Sequence, residues 1–125
     1  MNNNINKPFK NKNFLVALKN AINGIIFAFK SETNIKIDIL AMILVIIGSI
    51  IIKVNYIELL IIILTIGLVI SAEMFNSAIE NTVDLVTQEY NERAKIIKDI
   101  SAGAVLITSI IAVIVAVIIF MNKIL

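Results

Sequence analysis

Leu59-Leu60-Ile61-Ile62-Ile63-Leu64-Thr65-Ile66-Gly67-Leu68-Val69-Ile70-Ser71-Ala72 runs without a break into Glu73-Met74-Phe75-Asn76-Ser77-Ala78-Ile79-Glu80-Asn81-Thr82-Val83-Asp84. The first half is apolar enough to enter a bilayer, and the second brings three acids to the point where hydrocarbon should end. Continued as one helix at about 100° per residue, Glu73, Asn76, Ser77, Glu80 and Asp84 project within roughly 60° of one line. Met74, Phe75, Ile79 and Val83 point elsewhere, so the stretch reads as a membrane helix with a wet, anionic face. A charged group at membrane depth costs roughly 3 kcal/mol even on lenient scales and usually faces a cavity or a partner. A functional stripe is the leading reading. The alternative is that Asn76 and Ser77 join helices by hydrogen bonds while the acids mark the water boundary.

Composition supports the membrane setting. The chain has 125 residues, one domain's worth, of which 59% are hydrophobic and 16% charged, with a mean hydropathy of +0.97. A soluble globule of this size carries about 45–50% apolar residues. Cysteine and histidine are both absent, which removes disulfides, thiolate nucleophiles, Cys/His metal sites and Ser-His-acid centres. A metal would have to sit on oxygen ligands, as a hard ion such as magnesium does. The net charge of +2 comes from scattered lysines, which read as membrane-surface charges and not as a nucleic-acid stripe. No G-x-x-x-x-G-K-[ST] occurs, so a P-loop is excluded.

Working outward, residues 1–12 are rich in Asn and Lys and read as a flexible arm. Over 13–30, Phe14, Leu15, Leu18, Ala21, Ile22, Ile25, Ile26 and Phe29 share one helical face opposite Asn13, Lys19, Asn20, Asn23 and Lys30. That pattern predicts an amphipathic helix lying in the membrane surface. Ser31 or Thr33 is the expected cap of the next helix. A first membrane helix is expected over 35–54, with Lys36 and Lys53 snorkelling outward, and Asn55 supplies a turn. The second is expected over 57–86 and the third over 100–121, with a charged loop, 85–98, between them. Basic residues concentrate before the first span (Lys7, Lys10, Lys12, Lys19, Lys30) and after the second (Arg93, Lys95, Lys98). That asymmetry predicts that the N-terminus and the acidic stripe face the cytoplasm.

Phosphoryl transfer needs a metal at the phosphates, a cation near the transferred group and a group that takes the acceptor hydroxyl's proton. Glu32 and Glu80 suit the metal, Lys98 the γ-phosphate, and Glu73 the base toward a lipid hydroxyl. The residues permit this assignment without forcing it. The same stripe would serve a proton or cation path, or the packing of an oligomeric membrane scaffold.

Glu73-Met74-Phe75-Asn76-Ser77-Ala78-Ile79-Glu80-x-x-x-Asp84, Glu89-Tyr90 and Ala94-Lys95-x-x-Lys98-Asp99-x-x-Ala102-Gly103-Ala104-Val105-Leu106 together resemble the prokaryotic diacylglycerol kinase family, which includes the undecaprenol kinases. The resemblance implies an all-α integral membrane kinase with a surface helix and three transmembrane helices per subunit. It also implies a homotrimer whose sites lie between subunits, using ATP and magnesium to phosphorylate a lipid alcohol. By position it makes Glu73 the catalytic base, Glu32 and Glu80 metal-linked and nucleotide-binding, and Glu89, Tyr90, Asn91, Lys98 and Asp99 the rest of the nucleotide region. Asn76, Ser77 and Asp84 are supporting residues, and Asn34, Ile35, Lys36, Ile37 and Asp38, with Glu73, fall in the lipid-substrate region. The 91–99 segment resembles the Gram-positive branch, which implies undecaprenol ahead of diacylglycerol as the acceptor, in a bacterial cell membrane.

Overall fold

The computed structural model describes residues 13–125, and the expected arm over 1–12 lies outside the described residues. Four helices follow in order: α1 (Phe14–Ser31), α2 (Thr33–Ile51), α3 (Tyr56–Val86) and α4 (Glu92–Ile124). All four are long and apolar enough to cross a membrane, α1 being the least apolar. At 1.5 Å per residue α1 and α2 are about 27–29 Å long, close to a hydrocarbon core of about 30 Å, whereas α3 and α4 reach about 46–50 Å. Two such helices joined by a five-residue link must carry one end of their hairpin well beyond the hydrocarbon. That end holds the acids of α3 and the charged start of α4.

Each boundary has a local cause. Asn13 caps α1, its side-chain oxygen accepting from Val16 N at 2.9 Å. Ser31 and Thr33 do not cap α2: Ser31 Oγ donates back to Phe27 O at 2.7 Å, and the cap position is taken by Glu32, extended at φ −100° and without a side-chain cap bond. α2 stops at Ile51, three residues before the expected 54. Lys53 there adopts φ 57°, while Lys53 N reaches Ile50 O at 3.3 Å and Val54 N reaches Ser49 O at 3.2 Å. This is a Schellman-type stop, with lysine in the left-handed position that glycine usually fills. Asn55 and Glu58 then form a reciprocal capping box at 2.9 Å each way, which fixes the start of α3.

The charged loop expected over 85–98 is mostly helix. Asn91 accepts from Ala94 N at 3.1 Å and starts α4 at Glu92, eight residues before the expected 100. Lys95 and Asp99, one turn apart, form an ion pair along its exposed side.

The dominant packing is α3 against α4, with α2 on α3, and α1 on α2 and α3. The buried apolar residues are few: Ala28, Ile35, Ile62, Val83 and Ile119. Long apolar side chains such as Leu44, Ile50, Leu64, Ile107 and Ile118 are exposed, as lipid-facing positions are in a membrane protein and rarely are in a soluble one. At the end of the bundle away from the acids, Lys123 Nζ meets Glu58 Oε2 at 3.2 Å, and Phe120 of α4 covers Gly48 of α2 so closely that a Cβ there would stand 3.1 Å from the ring.

Candidate active site

α3 carries the stripe as one uninterrupted helix, so the i, i+3, i+4, i+7 spacing is realised. The stripe is graded in burial. Glu73 and Asn76 are buried, Ser77 and Glu80 half-buried, and Asp84 exposed. Each residue has a different partner. Asn76 Nδ2 donates to Glu80 Oε1 at 3.4 Å. Ser77 Oγ donates to Glu32 Oε1 at 2.6 Å, joining residues 45 positions apart and bringing the α1–α2 junction onto the stripe. Asp84 Oδ1 accepts from Lys98 Nζ of α4 at 2.7 Å.

Glu73 therefore sits among acids. Asp38, Glu32 and Glu80 all lie within electrostatic range of its carboxyl. Asp38, on α2, is the acid that interacts with it most strongly, carboxyl against carboxyl, and Asp38 Oδ2 is buried. Sequence reading treated Asp38 as the edge of a span and as part of the lipid region; its approach to Glu73 depends on how α2 leans on α3, which no local spacing encodes.

The remaining expected site residues divide into two groups. Asp84, Glu89, Tyr90, Asn91, Lys98 and Asp99 gather around one open cavity of about 380 Å³ at the α3–α4 turn. Within it Lys98 is held by Asp84 and lies within range of Glu80 as well, so it links this cavity to the stripe. Asn91's side-chain oxygen is committed to the α4 cap, and Glu89 N is held by Thr87 Oγ1 at 3.3 Å. In the expected lipid region, Asn34, Lys36 and Ile37 are exposed, whereas Ile35 is 1% exposed and is a core residue.

Among the described residues no cluster of three or more acidic ligands stands ready to hold a metal alone. Glu32 and Glu80 each spend one oxygen on a neighbour, Ser77 or Asn76, and keep a second. Two carboxylates with free oxygens and no complete cage fit magnesium delivered with a nucleotide, whose phosphates and waters fill the other positions.

Residues 19–120 match the family described as Prokaryotic diacylglycerol kinase. The chain belongs to that family. Among its relatives, the Undecaprenol kinase of Bacillus subtilis (strain 168) is 36% identical over 110 residues, covering 88% of this chain and 89% of that protein. The Diacylglycerol kinase of Synechocystis sp. (strain ATCC 27184 / PCC 6803 / Kazusa) is 40% identical over 104 residues, covering 82% of this chain and 59% of that protein. The matched region includes every residue of the stripe, its partner Glu32 and the α3–α4 turn.

Sequence reading gave no site role to one buried polar residue of α4. Ser101, 6% exposed, sits on α4 in a small-residue run, Ser101-Ala102-Gly103-Ala104, that reads as a close-packing surface. Nothing in its spacing distinguishes a packing serine from one aimed at a site.

Proposed function

We propose that this lipid kinase transfers the γ-phosphate of ATP to the hydroxyl of undecaprenol, giving undecaprenyl phosphate and ADP. The observation that carries the reading is the Ser77–Glu32 hydrogen bond. It assembles Glu32, Glu80 and buried Glu73 around one length of α3, at the end of the bundle where the long helices outrun the hydrocarbon. Glu73 lies about 25 Å along α3 from Tyr56, near the level where a lipid's hydroxyl meets water. The phosphates belong farther out, beside Glu80 and Lys98.

In this reading Glu73 accepts the proton of the lipid hydroxyl while that oxygen forms its bond to the γ-phosphorus and the bond to the β-bridging oxygen breaks. Glu32 and Glu80, together with the phosphates, would hold magnesium, which would supply charge neutralisation at the transferred group. Asn76 and Ser77 keep the two metal-side carboxylates in place. Lys98 exchanges Asp84 for phosphate oxygens. Asp84, Glu89, Tyr90, Asn91 and Asp99 border the nucleotide, and Asn34, Lys36, Ile37 and Asp38 lie toward the lipid.

α1 lies in the membrane surface, with Lys19 and Lys30 toward water, and α2, α3 and α4 cross. The lysine-rich start and the acidic stripe face the cytoplasm, as the distribution of basic residues favours. The protein assembles as a homotrimer. Exposed Ile79, Val86 and Ile97 on the site half of the α3–α4 hairpin form an apolar face beyond the bilayer that a neighbouring subunit would cover.

Undecaprenol is placed first because the Bacillus relative spans nearly the whole of both chains. The cyanobacterial relative keeps diacylglycerol as the second reading. Purified protein in mixed micelles with ATP and magnesium, offered each lipid separately, distinguishes them. Higher kcat/KM for undecaprenol supports the proposal, and higher kcat/KM for diacylglycerol replaces it with phospholipid turnover.

A further inference from the structure

Two buried polar atoms on facing helices lack partners among the described residues: Asn76 Oδ1 of α3 and Ser101 Oγ of α4. The two residues are 9% and 6% exposed, and both line one cavity of about 510 Å³ whose other walls include Leu68, Phe75 and Ile100. An unpaired buried polar group is costly, so two that share a cavity and have complementary capacities call for a common explanation.

The direction of the Asn76 amide follows from its neighbour. An ionised carboxylate only accepts hydrogen bonds, so the amide NH₂ must face Glu80, as it does. Asn76 Oδ1 is thereby turned away from the stripe and needs a donor. Of the other hydroxyls on this cavity, Thr108 already donates to Val105 O at 2.9 Å, and Ser71 is exposed on α3 itself, five residues before Asn76. Ser101 is available for a further reason. Ser31, Ser49 and Thr65 each spend their hydroxyl on the carbonyl four residues earlier, at 2.7 Å, the usual resort of a helical serine or threonine. Ser101 does not.

We propose that Ser101 is a positioning residue of the phosphoryl-transfer site, its hydroxyl supplying the donor that fixes Asn76 and, through Asn76, the Glu80 carboxylate. Across the cavity that both residues line, the hydroxyl would donate to Oδ1 directly after rotation or through one water, and either arrangement orders the same relay, Ser101 to Asn76 to Glu80. Successive donors in such a chain strengthen one another. Held from both sides, the amide cannot flip, and Glu80 keeps its second oxygen directed at the metal and phosphates. The proposal rests on the kinase reading for its consequence but not for the contact itself.

The test combines kinetics with unfolding of the full-length protein in detergent micelles. Ser101→Ala is expected to lower kcat about tenfold, the effect of losing one buried hydrogen bond at a site, and to raise the magnesium concentration for half-maximal activity several-fold. Ser101→Thr, which keeps the hydroxyl, is expected to restore both. In an Asn76→Ala background, Ser101→Ala is expected to cause no further loss of activity, and its effect on Tm is expected to shrink to less than half. Wild-type kinetics in Ser101→Ala, or Tm shifts that add fully with those of Asn76→Ala, would overturn the proposal. Non-additive Tm shifts in a protein whose wild type phosphorylates neither lipid would support the contact and overturn the kinase reading alone.

Discussion

Ser77→Ala isolates the side-chain hydrogen bond that, among the described residues, joins the α1–α2 junction to the stripe. Ser77 Oγ and Glu32 Oε1 are 2.6 Å apart, both residues are half-buried, and Glu32 makes no cap bond that would hold its side chain otherwise. A hydrogen bond to a charged group is worth about 1.5–3 kcal/mol, and partial exposure places this one near the lower end. Converted at about 1.4 kcal/mol per decade, the loss is about tenfold in kcat/KM for the magnesium nucleotide. The substitution removes only the hydroxyl oxygen and keeps Cβ, so the helix keeps its backbone bonds. The expected pattern is a tenfold fall in kcat/KM for ATP, little change in KM for the lipid, and recovery in Ser77→Thr. The assay is initial-rate transfer of labelled phosphate in mixed micelles with ATP varied at saturating lipid. A Ser77→Ala enzyme within twofold of wild type would show that Glu32 is held in place by something else and that the Ser77–Glu32 bond does not build the site.

Three further outcomes follow from the same geometry. Lys53→Gly relieves a left-handed residue at φ 57° and is expected to raise unfolding stability by about 1 kcal/mol without changing activity, read by detergent or chemical unfolding. Asn55→Ala removes one half of the capping box at the start of α3 and is expected to lower stability by about 1 kcal/mol in the same measurement, again leaving kcat intact. Lys98→Gln frees Asp84 and is expected to raise KM for ATP about tenfold through loss of a charge-assisted bond, while the exposed pair itself contributes little to Tm.

The stripe was legible because it is local: Glu73, Asn76, Ser77, Glu80 and Asp84 lie on one helix, and a 3.6-residue period suffices to align them. The turn at Asn55 was legible for the same reason. The start of α4 was not, because Glu92, Arg93, Lys95, Lys98 and Asp99 look like a solvated loop when weighed by charge, although Asn91 caps a helix that projects beyond the bilayer and can carry such residues. The end of α2 was misplaced because a lysine, not a glycine, takes the left-handed position. The burial of Ile35 comes from packing of α2 against its neighbours and is not encoded in the spacing of 34–38. The pairing of Ser77 with Glu32 and the approach of Asp38 to Glu73 are tertiary facts, set by how separate helices lean together, and sequence periodicity is silent on them.

The carboxylates of α3 are proposed to carry out phosphoryl transfer and not merely to pack helices. This role is tested most directly by comparing wild type, Glu73→Gln and Glu80→Gln for ATP-dependent phosphorylation of undecaprenol and diacylglycerol, in preparations matched for oligomer size. Wild type is expected to transfer phosphate to at least one lipid, and both variants to lose turnover with their assembly size unchanged. Activity above about a tenth of wild type in either variant, a barrier change under about 1.4 kcal/mol, would contradict the role assigned to that carboxylate.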